Sequence, residues 1–240
     1  MNKTRLSINI NKIALLRNSR GGSLPNLVQF AKDTVAFGGE GITVHPRPDE
    51  RHIRYRDIAP LKAITSTELN IEGNPRHRPF IDLVLANGPH QCTLVPDVQS
   101  ALTSDSGWDT VRHASFLREV IAELQAAGIR VSLFVNAEAK YIEGAKELGA
   151  DRIELYTGPY ANQYPINKAE AIRPYIEAAQ VAHQVGLGIN AGHDLNLNNL
   201  AFFKQNIPNL LEVSIGHALV ADALYFGLQN TVQMYLARLV

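Results

Sequence analysis

The sequence predicts a (β/α)8 barrel, a TIM barrel with additional helices, and three observations predict it. Short aliphatic or β-branched runs alternate with longer stretches of helical spacing along all 240 residues. Glycines stand where helices should end shortly before strands. The segments after strands 1, 2 and 4 are long, whereas those leading into strands are short.

The strand candidates, in order, are 6–10, 41–44, 68–71, 91–95, 130–135, 152–155, 188–190 and 211–215. Between them helical patterns cover about 26–37, 57–65, 78–87, 114–124, 138–148, 169–185, 196–206 and 218–239. The clearest places Ala114, Leu117, Val120, Ile121 and Leu124 at three- and four-residue spacing, which makes one apolar stripe. Strands followed by helices imply parallel pairing through right-handed crossovers, and eight such units close into a barrel, for which about 250 residues is typical. Gly39, Gly88, Gly128, Gly149 and Gly186 suit left-handed helix ends. The long segments, 11–25, 46–56 and 96–110, mark the catalytic face. An open doubly wound sheet would carry a Gly-rich dinucleotide turn after strand 1, but that position reads Asn11-Lys12-Ile13.

Composition bounds the function. With 23 Lys+Arg against 23 Asp+Glu and a pI near 7.1, the chain has no bulk cationic field for nucleic acid or an acidic membrane surface, so any anion site must be local. The lone Cys92 excludes an internal disulfide and a thiolate zinc cluster, and its apolar setting reads as a buried small residue. No apolar run reaches the roughly 18 residues of a membrane span. The first ten residues lack the long apolar centre of a signal peptide, so a cytoplasmic protein is expected. The 17 Gly and 12 Pro are scattered, so residues 1–240 are expected to form one domain.

Polar residues gather at the predicted strand ends: Asn9 and Asn11; His45 and Arg47; Asn70, Glu72 and Asn74; Glu154, Tyr156 and Thr157; Asn190 and His193; Gly216 and His217. Taken singly, each has a bland explanation. Glu154 or Asn70 could be a satisfied polar group in the barrel core, and His193 a surface residue at a helix start. Jointly they suggest a site, because barrel layers are usually filled by branched apolar side chains. Partial burial of Glu72 would raise its pKa toward the range useful for proton transfer, and His45 and His193 titrate near neutrality without much help. The turn from Ser214 to Ala218, running from strand 8 into a helix, offers backbone N–H groups to an anion, and Ala191-Gly192-His193-Asp194 offers a similar turn. Side-chain cations could come from Arg17, Arg20, Arg47 and His52, with Arg51, Arg54 and Arg56 equally explicable as a solvated loop. A metal site is not expected, because cations interrupt the ligand-type residues between His45 and His52. His45, His52, His193 and His217 fall on the catalytic end, whereas His77, His90, His113 and His183 are expected on helices or the opposite loops.

These residues, in order along essentially the whole chain, resemble one family closely: Asn9-Ile10-Asn11 with Leu16-Arg17-Asn18-Ser19-Arg20-Gly21, Gly41-Ile42-Thr43-Val44-His45 with Arg47 and Arg51-His52-Ile53, Asn70-Ile71-Glu72, Leu94-Val95-Pro96, Asn190-Ala191-Gly192-His193, and Ile215-Gly216-His217-Ala218. The pattern is similar to the pyridoxine 5'-phosphate synthases of vitamin B6 biosynthesis. The resemblance implies a homo-octamer of barrels that condenses 1-deoxy-D-xylulose 5-phosphate with 3-amino-2-oxopropyl phosphate, releasing phosphate and water, with no metal or organic cofactor. It implies proton acceptors at His45 and Glu72 and a proton donor at His193. It implies contacts from Asn9, Arg20, Gly216 and His217 to the amino-ketone phosphate, and from Arg47, His52 and Thr103 on the deoxyxylulose phosphate side. Asn11, Lys12 and Asp194 occupy further substrate-contact positions, but Asn11-Lys12 stands where many members have Asp-His, and Asp194 where Gly often follows the catalytic His. Asn136 stands where Asp is frequent. Another cofactor-free phosphosugar isomerase or lyase on the same barrel is the alternative.

Overall fold

Eight parallel strands close on themselves in sequence order: β1 (Arg5–Asn9), β2 (Gly41–Val44), β3 (Glu68–Gly73), β4 (Gln91–Leu94), β5 (Arg130–Val135), β6 (Arg152–Leu155), β7 (Gly188–Gly192) and β8 (Leu210–Ile215). The closing pair sets Arg5 beside Glu212 and Ile8 beside Ile215. The structure is a computed structural model, and it describes residues 3–64, 66–97 and 104–240. Around the barrel lie α1 (Asn11–Asn18), α2 (Leu27–Ala36), α3 (Ile58–Ile64), α4 (Arg78–Asn87), α5 (Ala114–Ala126), α6 (Ala139–Glu147), α7 (Gly158–Gln163), α8 (Lys168–Gln184), α9 (Leu200–Asn206), α10 (His217–Phe226) and α11 (Leu228–Leu236). Among the described residues no helix is long and apolar enough to cross a membrane.

The predicted strands and their order hold, and the differences are local. The segment after β1 carries α1 instead of an open loop; only Ile13, Ala14 and Arg17 of that helix are buried, so its periodicity is faint in the sequence. A six-residue helix, α7, follows β6. The stretch predicted as one helix over 218–239 divides at Gly227, whose φ of 76° and ψ of 151° break the ladder between α10 and α11. The helix expected from 196 begins only at Leu200, because Asn196 and Asn199 close a turn in which the Asn196 N–H donates to Asn199 Oδ1 at 2.8 Å. Four of the five predicted helix-ending glycines have positive φ; at the first joint Gly38, not Gly39, takes that conformation at 105°.

The two-residue period of the strands separates two environments. Ile8, Ile42, Val44, Leu69, Ile71, Leu94, Val131 and Ile153 face the helices and are fully buried with the stripes of α4 and α5. Cys92 belongs to this layer, and burial pushes its thiol pKa up. The alternate residues turn inward, and most of them are polar. At the N-terminal floor Arg5 pairs with Glu68 at 2.6 Å and Glu212 at 3.6 Å, and Arg130 also meets Glu68. Above them the chain of contacts Arg130–Gln91 (2.9 Å), Thr93–Asn70 (3.0 Å) and Ser7–Thr43 (2.8 Å) crosses the barrel. Asn190 reaches Gln91 at 3.4 Å. Asn70 and Asn190 therefore sit mid-barrel as satisfied core groups and not at the open end, which corrects their placement in the strand-end ring. This polar core is tolerated because most of its members find partners in one another.

Candidate active site

The C-terminal end of the barrel opens into a cavity whose wall follows the strands around. Asn9 comes from the end of β1, Asn11 and Lys12 from the start of α1, and His45, Arg47 and His52 from the segment after β2. Glu72 comes from β3, Phe134 from β5, Glu154 from β6, His193 from the turn after β7, and Ser214, Gly216 and His217 from β8 and α10. Ten of the thirteen sequence-predicted residues thus converge on one cavity.

The backbone that carries them is held in place locally. Asn11 donates its N–H to Asn9 Oδ1 at 3.0 Å, and its own Oδ1 accepts the His45 N–H at 2.9 Å, so the ends of β1 and β2 are tied together. Gly216 lets α10 start against β1, where an added Cβ would lie 3.0 Å from the Asn9 carbonyl oxygen. The close approach at Gly192 is tighter still: a Cβ there would stand 2.2 Å from the Ser214 carbonyl oxygen. His193, the next residue, has a φ of 56°, a left-handed backbone that non-glycine residues adopt at a cost and that clusters at functional sites. Its N–H donates to the Ser214 carbonyl at 3.0 Å.

Electrostatics separates the titratable groups. Burial, then the positive charges of Arg47, His52 and Arg51, lower the His45 pKa well below the ordinary imidazole value. Burial and Lys12 carry His52 down to about 4. Glu72 goes the other way: burial first, then Glu154 and Asp97, hold its carboxyl well above the usual range. Glu154, buried and facing Glu212, rises to about 7. For His193 burial favours the neutral ring, but the hydrogen bond and charge of Asp194, with Glu154 and Asp97, outweigh it and raise the pKa. Arg47 and Ser104 Oγ both donate to the Asp97 carboxylate at 2.7 Å, and the Asn74 side-chain amide donates to the Asp97 backbone carbonyl at 2.7 Å.

Three predicted residues are not among the described lining of the cavity. Arg20 is exposed and does not line the cavity. Thr103 falls outside the described residues. Asp194 stands behind His193, bonded to its Nδ1 at 2.9 Å. Arg17, considered as an anion ligand, is instead buried in a two-pronged ion pair with Asp57 at 2.8 and 2.9 Å. Asn136 accepts the Gly107 N–H at 3.0 Å and so braces the segment that follows β4. His77 and His113, expected on helices or the opposite loops, stand at the N-cap positions of α4 and α5, and His77 shares a neighbouring pocket with His45 and Arg47. Sequence reasoning missed Phe134, which shares parity with Arg130 and Ser132 along β5, and Ser104, for which an irregular segment gives no periodic signal. Glu154 was legible only as a member of the strand-end ring. Among the described residues no cluster of three or more His, Cys, Asp or Glu side chains could hold a metal ion.

Comparison with known proteins shows the family of the chain. The family model described as "Pyridoxal phosphate biosynthesis protein PdxJ" matches residues 6–240. The chain is 61% identical over 236 residues to the pyridoxine 5'-phosphate synthase of Flavobacterium johnsoniae, covering 98% of this chain and 99% of that one. It is 60% identical over 233 residues to the same-named protein of Christiangramia forsetii, covering 97% and 98%. Among solved structures, the 3-keto-L-gulonate-6-phosphate decarboxylase of Vibrio cholerae superposes over the full length of both chains with a TM-score of 0.67 at 9% identity, a likeness of fold alone. On the near-complete match in both directions, the chain belongs to the pyridoxine 5'-phosphate synthase (PdxJ) family, enzymes of vitamin B6 biosynthesis.

Proposed function

We propose that this member of the family condenses 1-deoxy-D-xylulose 5-phosphate with 3-amino-2-oxopropyl phosphate to pyridoxine 5'-phosphate, releasing phosphate and water. The observation that carries the reading is the opposed displacement of two imidazoles in one cavity. His45 is held neutral and suits a proton acceptor, whereas His193 is held toward its charged form and suits a proton donor. Glu72, whose raised pKa makes its carboxylate a stronger base, serves as the second acceptor, and Glu154 stands beside it with a pKa of about 7. Imine formation, dehydration, phosphate elimination and ring closure each move protons and need no single strong nucleophile.

Two phosphorylated substrates bring roughly four negative charges, because a phosphate monoester's second pKa is near 6. The first turn of α10, after Gly216, supplies unpaired N–H groups and a positive dipole end, with His217 beside it. Lys12 in the first turn of α1, Arg47 and His52 add charge or donors on the other side. Asn9 and Asn11 then position strand ends and substrate together. Arg20 and Thr103 complete the contacts, Arg20 from an exposed loop.

The same reading includes a cytoplasmic homo-octamer. Leu15 and Leu16 of α1 and Leu224, Tyr225 and Phe226 of α10 are exposed on two helices that pack together, an apolar patch suited to a second copy of the chain. Light scattering on the purified protein reports the assembly. Incubation with both substrates, following pyridoxine 5'-phosphate and phosphate release, tests the reaction; no product where a known synthase works overturns it.

A further inference from the structure

The turn that carries His193 is built around its neighbour. Thr157 Oγ1 donates to the Gly192 carbonyl and accepts the Asp194 N–H at 3.3 Å, so one hydroxyl clamps both sides of His193. Asn196 and Asn199 donate to the Asp194 carbonyl at 3.4 and 3.3 Å. With the His193 N–H on Ser214, the backbone of 192–194 is fixed at four points, and the left-handed φ of His193 turns its ring back onto the Asp194 side chain. Asp194 Oδ2 lies 2.9 Å from His193 Nδ1, and both side chains are about one-third exposed.

We propose that Asp194 is a positioning residue: its carboxylate holds His193 through Nδ1, so that Nε2 is the nitrogen presented to substrate and carries a proton only as the imidazolium. An adjacent-residue pair of this kind is unusual geometry, since neighbouring side chains normally diverge; the left-handed backbone at His193 is what allows it. The chemistry follows from the two nitrogens. With Nδ1–H donated to Asp194, the neutral ring has its lone pair on Nε2, so the ring becomes an acid at Nε2 only by holding a second proton. A carboxylate at hydrogen-bond distance stabilises that cation, and when Nε2 gives its proton away the Nδ1–H stays in place, ready for reprotonation. The other groups facing the ring are Glu154 from β6, Asp97 after β4 and His45 after β2; the two acids favour the cation and His45 opposes it. Asp194 is in direct hydrogen bond with the ring. At the family position where Gly often stands, this chain thus adds a carboxylate to its proton donor.

The inference rests on His193 being the proton donor, and the experiment separates the two. Full-length protein labelled at histidine, with His193→Ala used to assign the resonance, is titrated by NMR as wild type, Asp194→Asn and Asp194→Gly. The His193 midpoint is expected to fall in both variants, and kcat to fall by roughly tenfold at pH 8 with a smaller change at pH 6. An unchanged midpoint overturns the pairing, whatever the activity. A lowered midpoint with an unchanged kcat profile overturns the positioning role while leaving the pair. Retained turnover in His193→Ala instead removes the donor assignment on which both rest. If the glycine variant unfolds, the nearly isosteric Asn variant gives the same readout.

Discussion

His45 and Glu72 face each other from the ends of adjacent strands, with His45 Nδ1 3.9 Å from Glu72 Oε2, and their surroundings move them in opposite directions. The imidazole pKa falls and the carboxyl pKa rises, so both shifts oppose an ion pair between the two side chains. A carboxylate whose pKa is raised is a stronger base than an ordinary one, which suits a proton acceptor. Glu72→Gln is therefore expected to lower kcat by roughly 10²-fold or more while changing KM little. Steady-state kinetics on both substrates checks this, and comparable turnover would remove Glu72 from the mechanism.

Arg17 and Arg20 are three residues apart and predict opposite phenotypes. The guanidinium of Arg17 is buried, paired at both nitrogens with Asp57, and its Nη2 also donates to the His52 carbonyl at 3.3 Å. Breaking such a pair leaves a buried uncompensated carboxylate, so Arg17→Ala should destabilise the fold by about 3 kcal/mol. Arg20 is exposed, so Arg20→Ala should leave Tm unchanged and raise KM for the amino-ketone substrate. Thermal melts of both variants decide; equal melting temperatures would contradict the structural role of Arg17.

The contrast between these two arginines shows what a sequence can and cannot carry. The barrel was legible because each strand has a helix-facing row, such as Ile8, Ile42, Leu69, Ile71 and Leu94, whose burial imposes the period. The site was legible because polar residues at strand ends contradict that packing. Parity alone did not separate the two inward layers: Asn70 and Glu72 share a face of β3, yet one is a core amide bonded to Thr93 and the other lines the cavity. The difference is depth along the barrel axis, which depends on how the strands are staggered. Arg17 against Arg20 depends on α1, whose weak apolar face hid the helix and with it the direction of each side chain. Asp194 on His193 depends on a single left-handed residue, which no spacing rule foretells.

Gly192→Ala should act through His193. The new methyl would meet the Ser214 carbonyl oxygen, an atom of β8 backbone that also accepts the His193 N–H and has little freedom to retreat. The strain is expected to destabilise by about 1 to 3 kcal/mol, as overpacking of a well-filled site does, and to shift the imidazole from its place. Loss of kcat should exceed the loss of folded protein when activity is measured well below the melting temperature. A variant with wild-type kcat would show that the turn after β7 tolerates movement.

Glu154 gives a prediction in stability instead of rate. Its pKa is raised from 4.5 to about 7 by burial and by Glu212, so between those values the folded protein holds a proton that the unfolded chain has released. Stability then falls with rising pH, because the folded state binds more protons than the unfolded state throughout that window. The contribution is fully present below pH 4.5 and lost as pH rises through 7. Glu154→Gln removes the titration while keeping the shape of the side chain. Relative to wild type, the variant should gain on the order of 3 kcal/mol at most between pH 4.5 and 8, or roughly 10 °C in Tm for a chain of this length. Groups that do not interact with Glu154 contribute equally to both proteins, so the difference between the two Tm-versus-pH curves reports this carboxyl together with its coupling to Glu72 and His193. Curves that stay parallel from pH 4.5 to 8 would mean that Glu154 is ionised in the folded state at neutral pH.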